Sequence, residues 1–309
     1  MAGKAYTSET SPEMLGVFNT VMKLIRTAWF LLKTTSVAWF EDNATSQGAA
    51  LAFYAVVSLA PLLVVVMSLA GVIYGEKAAA GEIVRQTQSL SGFNSAGVVN
   101  SVLQDIKSRG LGLGAGIIGI FTVLAGATGV FVELQNVLDK IWKVKVESAS
   151  GLGGLIRTRL LSFVLVLATV ILLVLSLASS AGLAVVDRFA ADQVHIPAAL
   201  SRSSGSFLTF AIATLLIAAV FKLLPDTHVA WADVWSGAVL TAVLFTLGKM
   251  MLGTYLGESR IATAYGAAGS FLTLLVWVYY SAQILLFGAE FTHVYATRRG
   301  SRASHARAA

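Results

Sequence analysis

The stretch Glu41–Gly75, EDNATSQGAALAFYAVVSLAPLLVVVMSLAGVIYG, decides how the chain is to be read. It opens on two acids and an asparagine, then runs apolar for about 25 residues with Pro61 in the middle. In a soluble helix a buried proline removes a backbone hydrogen bond and its ring strikes the preceding turn, so ordinary globular core is a poor reading. A helix inside a membrane tolerates the same residue, because neighbouring helices, hydroxyls or water satisfy the freed carbonyl. Here that carbonyl belongs to Val57, with Ser58 next to it. We expect a kinked span whose Tyr54, Ser58 and Pro61 line a polar bundle interior; a kink that serves packing alone is the competing reading.

Composition points the same way for the whole chain. Of its 309 residues, 56% are hydrophobic and 12% charged, with a mean hydropathy of +0.77; a solvated domain carries about 25% charge. Six apolar segments, near 49–74, 112–136, 160–186, 207–224, 233–256 and 269–295, are each long enough to cross roughly 30 Å of hydrocarbon. The expected fold is therefore all-α: a polytopic membrane protein with six transmembrane helices, an N-terminal interfacial amphipathic helix and an external helical hairpin. The expected division is a cytoplasmic segment over 1–48, a transmembrane domain over 49–296 and a basic cytoplasmic tail over 297–309.

Residues 1–48 lack a short apolar core followed by a small-residue cleavage site, so we expect the segment to be retained. Within it MLGVFNTVMKLIRTAWFLLKTTSVAWF, Met14–Phe40, sets Lys23, Arg26 and Lys33 against an apolar helical face. Trp29, Phe30, Trp39 and Phe40 favour the headgroup level, which suits a helix lying along the membrane; a solvated helix packed on other loops is the alternative. Between spans one and two, Glu76–Gly110 carries apolar positions at helical spacing around a Ser/Gly/Asn break, read as two short amphipathic helices on the outer face. Gly112 and Gly116 form a GxxxG pair, serving packing within the chain or association with a second copy.

Thirteen basic residues fall on the side of the amino terminus and seven on the other, with Lys222 and Lys249 inside spans. The positive-inside rule then puts both termini in the cytoplasm. Anionic lipid explains the sequence pI of about 9.6, so membrane lipids are the expected partners and nucleic acid is not. With no cysteine, disulfides, thiolate metal sites and a cysteine nucleophile are excluded.

Four separate stretches carry a family resemblance: DNATSQGAALAFYAVVSLAPLL, LQNVLDKIW, FKLLPDTHVAWADVWSGAVLTAVLF and YGAAGSFLTLLVWVYYSAQILLFGAEF. In this order, over roughly residues 15–297, the chain resembles the YihY/BrkB family of bacterial inner-membrane proteins. The resemblance implies a six-span inner-membrane protein whose family names refer to virulence and serum resistance, with an older ribonuclease BN label and suggestions of transport. Metal-dependent RNA hydrolysis needs clustered His and carboxylate ligands. His195, His228, His293 and His305 are scattered, with Asp192, Asp226 and Glu290 forming only isolated pairs with them. We expect no catalytic residues, no metal and no cofactor.

An ionisable residue inside a span is expensive and marks a functional hypothesis. Glu133, Lys222 and Glu290 fall in the inner half of the bundle, where Lys222 can neutralise either carboxylate. They read as a polar cavity open to the cytoplasm or as an ion pair that fixes helix register. Lys249 stands sixteen residues beyond Asp233, about 24 Å along its helix; this outer-half charge is expected to meet Tyr255, Asp187 or a lipid phosphate. Asp42, Asn43 and Asp226 read as caps at helix ends. Two functions remain: a transporter or translocator of a lipid or small solute, and a non-transporting envelope-assembly scaffold.

Overall fold

The computed structural model describes residues 12–74, 129–144, 198–258 and 267–303, with isolated positions between 81 and 104. Among the described residues the chain is helical, without strands. The helices are α1 (Pro12–Glu41), α2 (Ala44–Tyr74), α3 (129–141), α4 (Ala198–Leu223), α5 (Trp231–Glu258) and α6 (Ala267–Arg298). Two of them hold runs long and apolar enough to cross a membrane, Trp231–Leu252 in α5 and Phe271–Ala303 at α6; Ala44–Leu59 and Phe210–Leu223 are shorter apolar runs. The expected span at 160–186, the Gly112/Gly116 pair, the helices of the 76–110 connection, His195 and His305 lie outside the described residues.

Helix α6 is the centre of the arrangement, packing against α2, α5 and α1, while α4 packs on α5. Its contact with α5 is antiparallel and built on small residues. Gly288 sits against the side chain of Thr241, and Gly237 sits against that of Thr292. A Cβ on either glycine would collide with the facing threonine, so the backbones approach as closely as they do because of these two positions. Each hydroxyl bonds back into its own helix, Thr241 Oγ1 to the Gly237 carbonyl and Thr292 Oγ1 to the Gly288 carbonyl, both at 2.7 Å. The polar atoms are thereby satisfied without crossing the interface. Further along, Gly248 meets the ring of Tyr280, and Phe245 meets Trp277 edge-to-face at 6.2 Å.

Helix α2 is helical through position 61. The Ser58 hydroxyl donates to the Ala55 carbonyl at 2.9 Å, so its local partner is Ala55 and not the carbonyl of Val57. Tyr54 lays its ring against Gly129 of α3 and is 42% exposed.

Candidate functional site

Four helix boundaries meet at one end of the bundle and form a polar layer. Helix α1 closes with the Asp42 amide on the Ala38 carbonyl at 2.9 Å, and Asn43 then turns at φ 55°. Asparagine enters the left-handed region more readily than most residues because its short side chain bonds locally. The Asn43 carbonyl opens α2 by accepting the amides of Ser46 and Gln47 at 3.1 and 3.2 Å. Helix α3 ends on paired bonds, Lys143 N–H to the Lys140 carbonyl at 3.0 Å and Val144 N–H to the Asp139 carbonyl at 2.9 Å, with Lys143 at φ 52°. Glycine is usual there; a lysine carries about 1 kcal/mol of strain.

Side chains stitch these ends together. Lys140 donates to the Asp42 carbonyl at 2.8 Å, and the Asp226 amide donates to Asp139 Oδ1 at 2.7 Å. Burial holds the Asp139 carboxyl above the ordinary carboxylate range; the bond from the Asp226 amide works against this and the Asp226 charge adds to it. Asp233, buried in the first turn of α5, accepts the Ser301 hydroxyl at 2.6 Å and the Ser301 amide at 3.2 Å. Arg302 lies over the Trp142 ring at 4.9 Å and donates to the Thr227 hydroxyl at 2.9 Å, while His293 meets the same ring edge-to-face at 5.2 Å.

Between α1, the end of α3 and α6 this layer encloses a pocket of about 260 Å³, lined by Thr34, Val37, Ala38, Glu41, Asp42, Lys143, Glu290, His293, Val294, Thr297 and Arg298. Glu290 has no exposed surface, and its carboxyl is set against the Asp42 carboxyl, with no other hydrogen-bond partner on either oxygen. One turn earlier on α6 a second cavity opens, about 320 Å³ and mainly apolar, lined by Ser36, Trp39, Phe40, Leu244, Gln283, Ile284 and Phe287. On two of these residues, Trp39 Nε1 and Gln283 Oε1 are buried without partners.

The structure distributes the expected site residues differently from the sequence reading. Glu290 lines the pocket, but Glu133 and Lys222 do not. Lys222 donates its ammonium to the Val229 carbonyl and lies 5.7 Å from the Trp231 ring centre, so it does not neutralise Glu290. Glu133 is half-buried on α3, two turns before Lys140. Lys249 is half-buried on α5 beside Gly248, which meets Tyr280, about 15 Å along α6 from Glu290. Asn43 does serve a helix end; Asp226 lies between α4 and α5 with its amide on Asp139, and Asp42 also lines the pocket. Asp42, Lys143, His293 and Arg298 were missed as pocket residues because they come from three distant parts of the chain. The nearest sequence signal was the acid pair at the junction of α1 and α2. Among the described residues, no three His, Cys, Asp or Glu side chains converge as metal ligands.

Apolar helices of spanning length, joined at one end by a basic polar layer, define a helical membrane protein. The profile of the family described as Virulence factor BrkB matches residues 36–309, and the chain belongs to that family. It is 29% identical over 184 residues to a UPF0761 membrane protein of Glaesserella parasuis, covering 58% of this chain and 61% of the relative. It is 27% identical over 267 residues to one of Alkalilimnicola ehrlichii, covering 84% and 56%. A third, from Mannheimia succiniciproducens, is 24% identical over 276 residues, covering 88% and 92%. The matches to the first relatives span 61%, 42% and 39% of those proteins' own length. No solved structure matches.

Proposed function

We propose that the chain is a six-span inner-membrane translocator of a lipid or small solute, with both termini cytoplasmic and α1 lying along the membrane surface. The observation that carries this reading is Glu290, a carboxyl group with no exposed surface on the wall of a polar pocket, set against a second carboxyl, that of Asp42. An ionised carboxylate in that place is unfavourable until a proton, a cation or a ligand amine joins it. Such groups inside spans mark substrate and ion pathways. The cytoplasmic orientation draws support from Lys140, Lys143, Arg299 and Arg302, which crowd the polar layer. The surface position of α1 draws support from Trp29 and Phe40, 70% and 68% exposed. The reading is of a non-catalytic protein without a cofactor.

Reconstitution into liposomes tests it, with a screen of lipids and small solutes on wild type and Glu290→Gln. Flux or lipid flipping that depends on Glu290 is the expected result. A wild type that moves nothing, while still supporting the cell envelope in a deletion strain, favours the scaffold instead. Reporter fusions after residues 150 and 309 should lie in the cytoplasm and one near residue 95 outside; an external carboxyl terminus would overturn the topology.

A further inference from the structure

Glu290 belongs to the wall of the polar pocket, yet both of its carboxyl oxygens are buried, and what faces them is the carboxyl of Asp42. Asp42 is held in place. Its amide is bonded to the Ala38 carbonyl at 2.9 Å, and its own carbonyl accepts Gln47 Nε2 and Lys140 Nζ, each at 2.8 Å. The junction of α1 and α2 is thus fixed from α1, α2 and α3, with its carboxyl set against α6.

Two carboxylates so placed repel each other, and the buried one has no water to spread its charge. A single proton removes the conflict, because it makes one carboxyl a donor and leaves the other as its acceptor. A ligand ammonium in the pocket would have to reach Glu290 oxygens that have almost no accessible surface. A metal cation needs more oxygens than one pair supplies, and among the described residues no third acid or histidine completes a set.

The groups around the pair govern when that proton leaves. From α1 comes the exposed Glu41, from the end of α3 Lys140 and Lys143, and from α6 His293 and Arg298. Helix α2 packs against α6 but carries no acid, lysine, arginine or histidine, and Asp233 of α5 lies farther along, bonded to Ser301. Lys143 and Lys140 lie close enough to act on the Glu290 charge, so the negative charge left by a departing proton is answered by two cations. Asp42 is half-buried and lines the pocket, whereas Glu290 is sealed, so the proton enters and leaves through Asp42.

We propose that Asp42 and Glu290 form a proton-binding site, holding one proton between their carboxyls and loaded from the polar pocket through Asp42. On loading, H⁺ from the pocket protonates one carboxylate, and the O–H so formed donates to the other; on unloading the proton returns by way of Asp42. No other bond is made or broken. In a translocator this proton is the coupling ion. That use rests on the translocator reading, whereas the site itself does not.

The test is infrared spectroscopy of the full chain in detergent at neutral pH, where ordinary carboxyls are ionised. The difference between wild type and Glu290→Gln should contain the C=O stretch of a protonated carboxyl, shifted on exchange into deuterium oxide. Asp42→Asn should abolish the same band, because its amide donates to Glu290 and leaves no proton to be shared. Both variants are nearly isosteric with wild type and should unfold as cooperatively. In the pH range where the wild-type band disappears, the folded-to-unfolded ratio of wild type should fall up to tenfold more per pH unit than that of Glu290→Gln. The folded pair holds a proton that the unfolded chain has released, so its contribution is present in acid and is lost as pH rises. Wild type without the band at neutral pH overturns the proposal whatever the variants do. So does a band that Asp42→Asn leaves unchanged, which would make the proton one of Glu290 alone, and so do equal pH slopes. Liposomes that move no lipid or solute, while the band and its dependence on both residues hold, would defeat the translocator reading alone and leave the proton site standing.

Discussion

The two sides of α6 solve opposite problems. Toward α5, Gly288 faces Thr241 and Gly237 faces Thr292, and both threonine hydroxyls are bonded within their own helices. Toward α1, the same helix presents Glu290 against the Asp42 carboxyl and Gln283 with its oxygen unpartnered, beside two cavities. The first side is a close contact in which a single added methyl has nowhere to go. The second holds space and unspent hydrogen-bonding capacity, which costs stability. Rigidity on one face lets the other stay incomplete without the bundle losing register.

The largest effect is expected where packing is closest. Gly288→Ala drives a Cβ into Thr241 and should cost about 1–3 kcal/mol, read as a drop in thermal midpoint in detergent. Adding Thr241→Gly removes the obstructing side chain and should restore part of the loss. If Gly288→Ala alone melts like wild type, the α5/α6 side is looser than described and the contrast breaks.

On the opposite face the sign should reverse. Glu290→Met replaces a buried carboxyl set against a second one, Asp42, with an apolar group of similar length, and should stabilise the protein by about 1–3 kcal/mol. A destabilised Glu290→Met would mean that this carboxyl has a structural partner.

Lys222 sharpens the contrast. Its ammonium is engaged by the Val229 carbonyl and the Trp231 ring, so Lys222→Met should cost only about 1 kcal/mol. Combining it with Glu290→Gln should be additive within about 0.5 kcal/mol, since the two do not share a partner. Rescue of one change by the other would restore the ion pair that the sequence alone led us to expect.

The smallest effect concerns pH. Burial raises the Asp139 carboxyl above its unfolded range, so the folded protein holds that proton more tightly than the unfolded chain. The stabilisation is present in acid and is lost as pH rises through the folded value. Asp139→Asn keeps an acceptor for the Asp226 amide while removing the titration, so its stability should change less than that of wild type between about pH 4 and about pH 7. An identical pH profile for the two proteins would remove Asp139 from the account.

The membrane class, the helical fold and the family were legible in the chain, because hydrophobic run length and composition are local properties that the bilayer reads one segment at a time. Glu290 was legible for the same reason, as a carboxylate inside an apolar run. Its surroundings were not. The pairing with Lys222 was inferred from depth alone; depth does not specify which way a side chain faces, and the carbonyl of Val229 claimed the ammonium. The sequence marked Gly112 and Gly116, which lie outside the described residues, for close packing, and the described structure adds a tight seam at Gly237 and Gly288. These carry the same small-residue spacing, each with a threonine four residues on. Asp42, Lys143 and Arg298 join Glu290 only because Asn43 and Lys143 turn left-handed at the helix ends and α1 packs against α6. A span can be recognised from its own residues, but a pocket is made of side chains from distant segments, and only the packing of the helices decides which of them meet.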